Sequence, residues 1–337
     1  MEIPAHTTAT SRVQFLVSCE TSTCSMHSHH SHSGTYVSHA QDELDDVVAR
    51  AHELGFSTFC LTEHMPRLNS KFMYPEETEK SMSIEDLQEI FNRYLEHAAK
   101  LKAEYATRGL DILVGFEVEG IDSAHIDHAC NLLPLVDMCV GSVHFVNEIP
   151  IDFSQDLWLE ARDLLPEKTT RALNFAYYKL QRQVLEKVKP TIVGHFDLIR
   201  LFEPQEIDPT TGKHLSQVCI ETDWPEVWDL IVGNIVFAKS YGALFELNSA
   251  AFRKGWNSPY PKEDVCRAII EYGDARFCLS DDSHAVSQVG LNYNKLLDFI
   301  KFLGLQKIYF LLAQNSSTAI NCLLTHNLEQ NWSPYSQ

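Results

Sequence analysis

The sequence predicts an α/β protein whose parallel strands close into a barrel. Three observations carry this. Short β-like runs alternate with longer helical patterns from Met26 to about Leu312. There are about seven such units. No G-x-G-x-x-G or G-x-x-x-x-G-K-[ST] string accompanies them. Strand alternating with helix argues for βαβ units and a parallel sheet. Seven or so units without a nucleotide-binding glycine loop suit a closed barrel better than an open sheet.

The elements read in order. Residues 57–62 are apolar and β-rich, and 84–107 follow with helical spacing. Residues 111–118 predict a strand, 124–133 a helix, 136–146 a strand and 168–189 a long helix. After Pro190, residues 191–196 predict a strand. Residues 224–240 read as a helix and 243–248 as a strand. Pro261 opens a helix, as proline in the first turn does. A strand over 276–280, a helix over 291–303 and a β-like run over 307–312 complete the series. Residues 203–223 are polar and turn-rich and predict an insertion. Residues 1–25 predict a dispensable or disordered extension, and 313–337 a peripheral tail. A core of 26–312 remains.

Composition bounds the function. Of 337 residues 45% are hydrophobic, enough for a large core, and 27 basic against 46 acidic residues leave a formal charge of −19. Nucleic acid is a poor partner for such a chain, because phosphate backbones demand clustered Lys and Arg. A small anionic substrate is compatible if bound metal ions reverse the local field. The nine cysteines form no C-x-x-C pair, which predicts reduced thiols in a cytoplasmic protein. No run approaches the ~20 apolar residues of a membrane span.

The sixteen histidines matter by position. His30 and His32 follow the first β-like segment, and His39 lies in the next loop. His64 ends L-T-E-H, His144 ends V-G-S-V-H, His195 ends I-V-G-H and His284 ends L-S-D-D-S-H. Glu117 ends I-L-V-G-F-E, and Asp282 lies two before His284. Most strand candidates thus finish in His, Glu or Asp. Strand ends of one polarity meet at one barrel face, where sites are built. Imidazole with carboxylate suits Zn, Mn or Fe. Nine ligands exceed the four of one tetrahedral ion and predict two or three ions. Strand alternation does not separate Glu117 from Glu119, and Asp281 rivals Asp282. H-S-H also occurs at 27–29. The 30–32 copy is favoured because the loop then runs through Ser33 to His39. His52, His97, His125 and His128 fall on predicted helices.

In H-S-H-S (30–33), L-T-E-H (61–64), G-F-E (115–117), G-S-V-H (141–144), G-H-F-D (194–197) and D-S-H (282–284), taken in this order, the sequence resembles the polymerase and histidinol phosphatase (PHP) family. It is most similar to the fungal-type histidinol-phosphatases, through M-H-S-H-H-S-H-S-G, C-L-T-E-H-M-P-R and I-P-I-D-F. The resemblance implies a distorted seven-stranded (β/α) barrel and a trinuclear site. One ion would take His30, His32, Glu117 and Asp282. A second would share Glu117 and add His144 and His195. A third would take His39, His64 and His284. The implied reaction is hydrolysis of L-histidinol phosphate in histidine biosynthesis, with a metal-activated water attacking phosphorus. Another small phosphate ester is the alternative. Asp282, His195 and His284 are the expected catalytic group. Arg253 and Arg200 are expected to fork onto phosphate oxygens. Asp197, Asp152 and Glu119 are expected to face the rest of the substrate, and Glu246 and Asn248 to stand behind the ligands.

Overall fold

The computed structural model describes residues 13–15, 26–314, 317–325 and 328. Thirteen strands occur among them: β1 (Val13–Phe15), β2 (Met26–Ser28), β3 (Phe56–Leu61), β4 (Asp111–Val114), β5 (Glu117–Val118), β6 (Val140–Gly141), β7 (Phe145–Val146), β8 (Ile149–Pro150), β9 (Ile192–Val193), β10 (Leu244–Asn248), β11 (Phe277–Ser280), β12 (Lys307–Gln314) and β13 (Ser317–Leu324). The α-helices are α1 (Leu44–Glu53), α2 (Pro75–Glu79), α3 (Ile84–Ala106), α4 (Ser123–Leu132), α5 (Gln155–Asp163), α6 (Thr170–Val188), α7 (Ile220–Asp223), α8 (Pro225–Ser240), α9 (Ala250–Arg253), α10 (Glu263–Tyr272) and α11 (Tyr293–Leu303).

Local chemistry sets the helix ends. Ser83 and Asp86 form a reciprocal cap on α3, and Asp122, Ser154 and Thr169 each accept a backbone N–H at the start of α4, α5 and α6. Such caps satisfy N–H groups that have no partner within the helix. Lys189 ends α6 in the left-handed region, and Pro190 turns the chain into β9.

The parallel strands form two sheets, β2-β3-β4 and β11-β10-β9-β6-β5, and not one continuous ladder. Two parallel bridges lie between them, His64 to Glu117 and Ser31 to Ser283. The predicted strand over 111–118 is broken at Gly115 and Phe116, and the one over 136–146 keeps only β6. Its far end forms a separate hairpin of β7 and β8, turning at Asn147 and Glu148, both with positive φ. Positive φ at both central residues matches the twist of a two-residue hairpin.

Side chains along the strands stack in layers of period two. At the floor, Cys60, Leu113, Val140, Ile192, Leu244 and Cys278, one from each of six strands, pack with Leu311 and Ile320 of the last hairpin. Two residues on come Thr62, Gly115, Ser142, Gly194, Glu246 and Ser280. Two further on come His64, Glu117, His144, Asn248 and Asp282. The larger core lies outside, between the sheets and the helices, and includes Phe59, Tyr94, Trp158, Tyr177 and Phe245.

Three segments expected to be peripheral take part in packing or pairing where they are described. Residues 317–324 do not hang off the fold. They form β13, antiparallel to β12, and their Ile320 fills the floor. β13 also pairs in parallel with Val13–Phe15, inside the segment expected to be an extension. The rest of 1–25 lies outside the described residues, as do 315–316, 326–327 and 329–337. The predicted insertion is packed: Leu215 and Ile220 join the core, and Asp208 accepts from Trp224 Nε1 and Thr211 Oγ1.

Candidate metal centre

Glu117 is the hub. It opens β5 fully buried, and its Oε1 lies 3.0 Å from both His144 Nε2 and His195 Nε2. Its Oε2 lies 3.2 Å from His30 Nε2, 3.4 Å from His32 Nε2 and 3.2 Å from His64 Nδ1. Asp282 Oδ1 is 3.8 Å from His30 Nε2, 3.5 Å from His32 Nε2 and 3.6 Å from His284 Nδ1. The ring of His39 lies 5.3 Å from that of His64 and 5.2 Å from that of His284, centre to centre. All nine expected ligands therefore gather around one cavity of about 310 Å³ or directly beneath it.

The partners behind these groups fix their orientation. Glu246 accepts from Ser280 Oγ, Asn248 Nδ2 and the backbone N–H of His195, and lies 3.2 Å from His30 Nδ1. Asp152 Oδ2 is 2.9 Å from His144 Nδ1, because the β7–β8 hairpin brings the chain back and Ile151 N–H donates to the His144 carbonyl. A carboxylate on the far nitrogen of an imidazole sets its tautomer and raises its basicity. Glu63 accepts from Ser33 and faces His32 Nδ1 at 3.7 Å. Asp282 has φ +47°, a left-handed conformation that Asp tolerates better than most residues.

Electrostatics splits the imidazoles. Burial disfavours charge on His30, but Glu117, Asp282 and Glu246 outweigh it and raise its pKa well above the usual value. His144 is raised against burial by Glu117 and Asp152. His32 is raised to about 9 against burial, through Glu117 and Glu63. Burial and the neighbouring His32 push His64 and His284 well down and His39 to about 4. Burial would raise Glu117, but His30 and His144 hold it well below the ordinary carboxylate range.

The donor set fits divalent ions. Three groups each bring ligand atoms within 4.8 Å of one another: His32, His64 and His284; His30, Glu117 and His195; and His30, His32 and Asp282. His64 Nδ1 is buried and makes no hydrogen bond although Glu117 Oε2 is 3.2 Å away. Buried polar atoms are normally paired, so a close but unbonded donor–acceptor contact points to a shared ion. No further metal-ligating cluster occurs among the described residues.

The profile of the PHP domain matches residues 28–250. The chain belongs to the PHP family. A histidinol-phosphatase from Saccharomyces cerevisiae is 38% identical over 323 residues, covering 90% of this chain and 96% of the relative. A Schizosaccharomyces pombe protein named probable histidinol-phosphatase is 39% identical over 283 residues, covering 83% of this chain and 88% of the relative. Among solved structures, HisK from Listeria monocytogenes superposes with TM-score 0.63 at 23% identity, covering 80% of this chain and 99% of that one. A histidinol phosphate phosphatase from Lactococcus lactis, complexed with zinc, L-histidinol and phosphate, superposes with TM-score 0.62 at 17% identity, covering 87% and 98%. These two establish the α/β fold of this PHP chain.

The structure redistributes the expected substrate residues of the PHP site. Asp152 and Arg253 line the cavity. Glu119, Arg200 and Asp197 do not. Glu119 accepts from Arg67 and Tyr74 Oη and is spent on them. Arg200 is clamped on Asp264 at 2.7 and 3.0 Å, and Asp197 accepts from the Lys262 backbone. In each case the partner comes from a segment remote in sequence. Asp281 bonds Ser28 and Gly290 N–H below the cavity. His29 bridges the Leu279 carbonyl and the Leu311 N–H, and His27 stacks on Phe310, so the 27–29 copy faces the floor. Tyr74, Phe153, Leu198, Lys254, Tyr260 and Gln288 also line the cavity and were not anticipated. Lys254 had a signal, since it neighbours Arg253 a few residues after β10.

Among the described residues no helix is long and apolar enough to cross a membrane.

Proposed function

We propose that this PHP chain is a histidinol-phosphatase that hydrolyses L-histidinol phosphate to L-histidinol and phosphate. The observation that carries the reading is a nine-ligand cluster at the base of one open cavity, in a chain that matches histidinol-phosphatase relatives over nearly its whole length. The site takes two or three divalent ions, Zn, Mn or Fe. The approach of Glu117 to His30, His32, His64, His144 and His195 supports a division in which Glu117 is shared, and His30 and His32 each belong to two of the groupings above. Bound ions supply Lewis acidity and lower the pKa of water toward neutrality.

The chain's own residues orient that chemistry. Asp152 holds the His144 ring, Glu246 holds His30 and the His195 backbone, and Asp282 stands where a proton can pass between the ligand cluster and the cavity. Phe153 and Leu198 give the cavity an apolar wall for an imidazole, and Asp152 offers a carboxylate to an ammonium. The His64–Glu117 and Ser31–Ser283 bridges, with the six-strand floor, support a distorted seven-stranded barrel in which β4 and β5 count as one strand. The free cysteines Cys60, Cys139, Cys266 and Cys278 support a reducing, cytoplasmic location.

The test is phosphate release from histidinol phosphate against a panel of sugar and nucleotide monophosphates, with elemental analysis of the same preparation. Clear preference for histidinol phosphate and at least two equivalents of metal are expected. Equal rates across the panel would overturn the substrate, and metal-free activity would overturn the centre.

A further inference from the structure

A phosphate monoester brings negative charge into a cavity already lined by Glu117, Asp152 and Asp282. Ions beneath it answer part of that charge. The oxygens turned away from them need donors from the wall. Two cationic side chains other than histidine line the cavity, Arg253 and Lys254. Arg253 is largely committed. Its Nη1 donates to the Asp281 carbonyl at 2.6 Å and its Nη2 to the Asp282 carbonyl at 2.7 Å. That fork braces the backbone of Asp282, which sits in the left-handed region. Lys254 is held by no such fork, although its charge acts on the Asp152 carboxylate at the same cavity. It is exposed at the mouth, and its ammonium has no hydrogen-bond or ion-pair partner among the described residues. Its base is nevertheless fixed. Lys254 caps α9, and its N–H donates to the carbonyls of Ala250 and Ala251, which are fully buried. Gly255, with φ +90°, then turns the chain away. A flexible cation on a rigid base beside a cavity is suited to capture an anion as a point charge.

We propose that Lys254 is a substrate-binding residue whose ammonium donates to a non-bridging oxygen of the phosphate, while Arg253 acts mainly by positioning Asp282. The inference rests on the phosphomonoesterase reading above and names a contact within it. Lys254 touches substrate before the bond to phosphorus breaks and holds the released phosphate afterwards. It therefore contributes to ground-state and product binding more than to turnover.

The experiment uses the metal-loaded full chain with K254M and K254R. Inorganic phosphate is titrated calorimetrically, and steady-state constants are measured on histidinol phosphate. A hydrogen bond to a charged group is worth a factor of about 10 to 100. K254M is expected to raise the phosphate dissociation constant and KM by a common factor of that size. The turnover number should stay within about threefold, with metal content unchanged, and K254R should recover most of the loss. An unchanged phosphate dissociation constant in K254M overturns the proposal. So does a loss confined to kcat, or one accompanied by loss of metal. If the wild type binds phosphate through Lys254 but does not turn over histidinol phosphate, the substrate reading falls and the Lys254 contact stands.

Discussion

Glu117 touches five imidazoles through two oxygens, and Asp282 approaches three. Replacing Asp282 by Asn removes charge and places an NH₂ donor where His30, His32 and His284 need an acceptor. Replacing His195 by Ala removes the proposed ligand atom 3.0 Å from Glu117 Oε1. Each change is expected to cut phosphate release at least about a hundredfold, with far-UV circular dichroism preserved. Near-wild-type turnover in either variant removes the proposed centre. His125 lies apart from this chemistry. It is buried on α4 with both ring nitrogens unpaired, and burial depresses its pKa to about 4. The unfolded chain takes up that proton near pH 6.5. Between about pH 6.5 and 4 the unfolded state therefore binds more protons, and stability falls as pH falls. His125→Leu should flatten this acid limb by roughly 2–3 kcal/mol in urea titrations. An equally steep limb in the variant would assign the loss to other groups.

At the scale of the element, the strands act as indexed rods. Period-two alternation carries the apolar floor up through a small or polar middle layer to the layer of proposed ligands. Glycine in the middle layer is a spacing requirement. A Cβ at Gly194 would meet Ser142 Oγ at 2.5 Å, Val140 Cγ1 at 2.6 Å and Glu246 Oε2 at 3.2 Å. Gly194→Ala is expected to destabilise by about 1–3 kcal/mol. It should also lower activity, because Glu246 is the carboxylate that holds His30 and the His195 backbone. Urea unfolding with phosphate release on the same sample separates the two effects. The same indexing explains what was legible in these elements. Helices α3, α6 and α8 lie within two residues of their sequence-based bounds at both ends, because caps and proline are local signals. The predicted strands over 111–118 and 136–146 are only partly ladder. Their apolar runs continue past Val114 and Gly141, but pairing depends on neighbours from other segments.

For the whole molecule, closure of the floor comes from the end of the chain. The β12–β13 hairpin plugs the strands with Leu311 and Ile320, and Leu311 N–H donates to His29 Nε2 next to the proposed ligand His30. β1 pairs with β13 on the side away from β12. Removing residues 1–25 is expected to leave kcat within about twofold and to lower Tm by a few degrees, about 1 kcal/mol in a chain of this size. Unfolding of the truncated chain, or a lost metal equivalent, would make that segment part of the essential fold.

Sequence alone determined that donors of metal-binding type end strand after strand, and the order of those motifs identified the family. That was possible because ligand chemistry is a property of residue type, and strand ends are marked by local apolar runs. Tertiary structure decided between chemically equal alternatives. Glu117 and Glu119 share a strand face, yet only Glu119 meets Arg67 and Tyr74. Arg200 and Arg253 each follow a strand end, yet Asp264 takes the first and the carbonyls of Asp281 and Asp282 take the second. The competing partners lie between 28 and 64 residues away along the chain for these arginines. A buried charge is committed by whatever folds against it, and no local pattern records that neighbour.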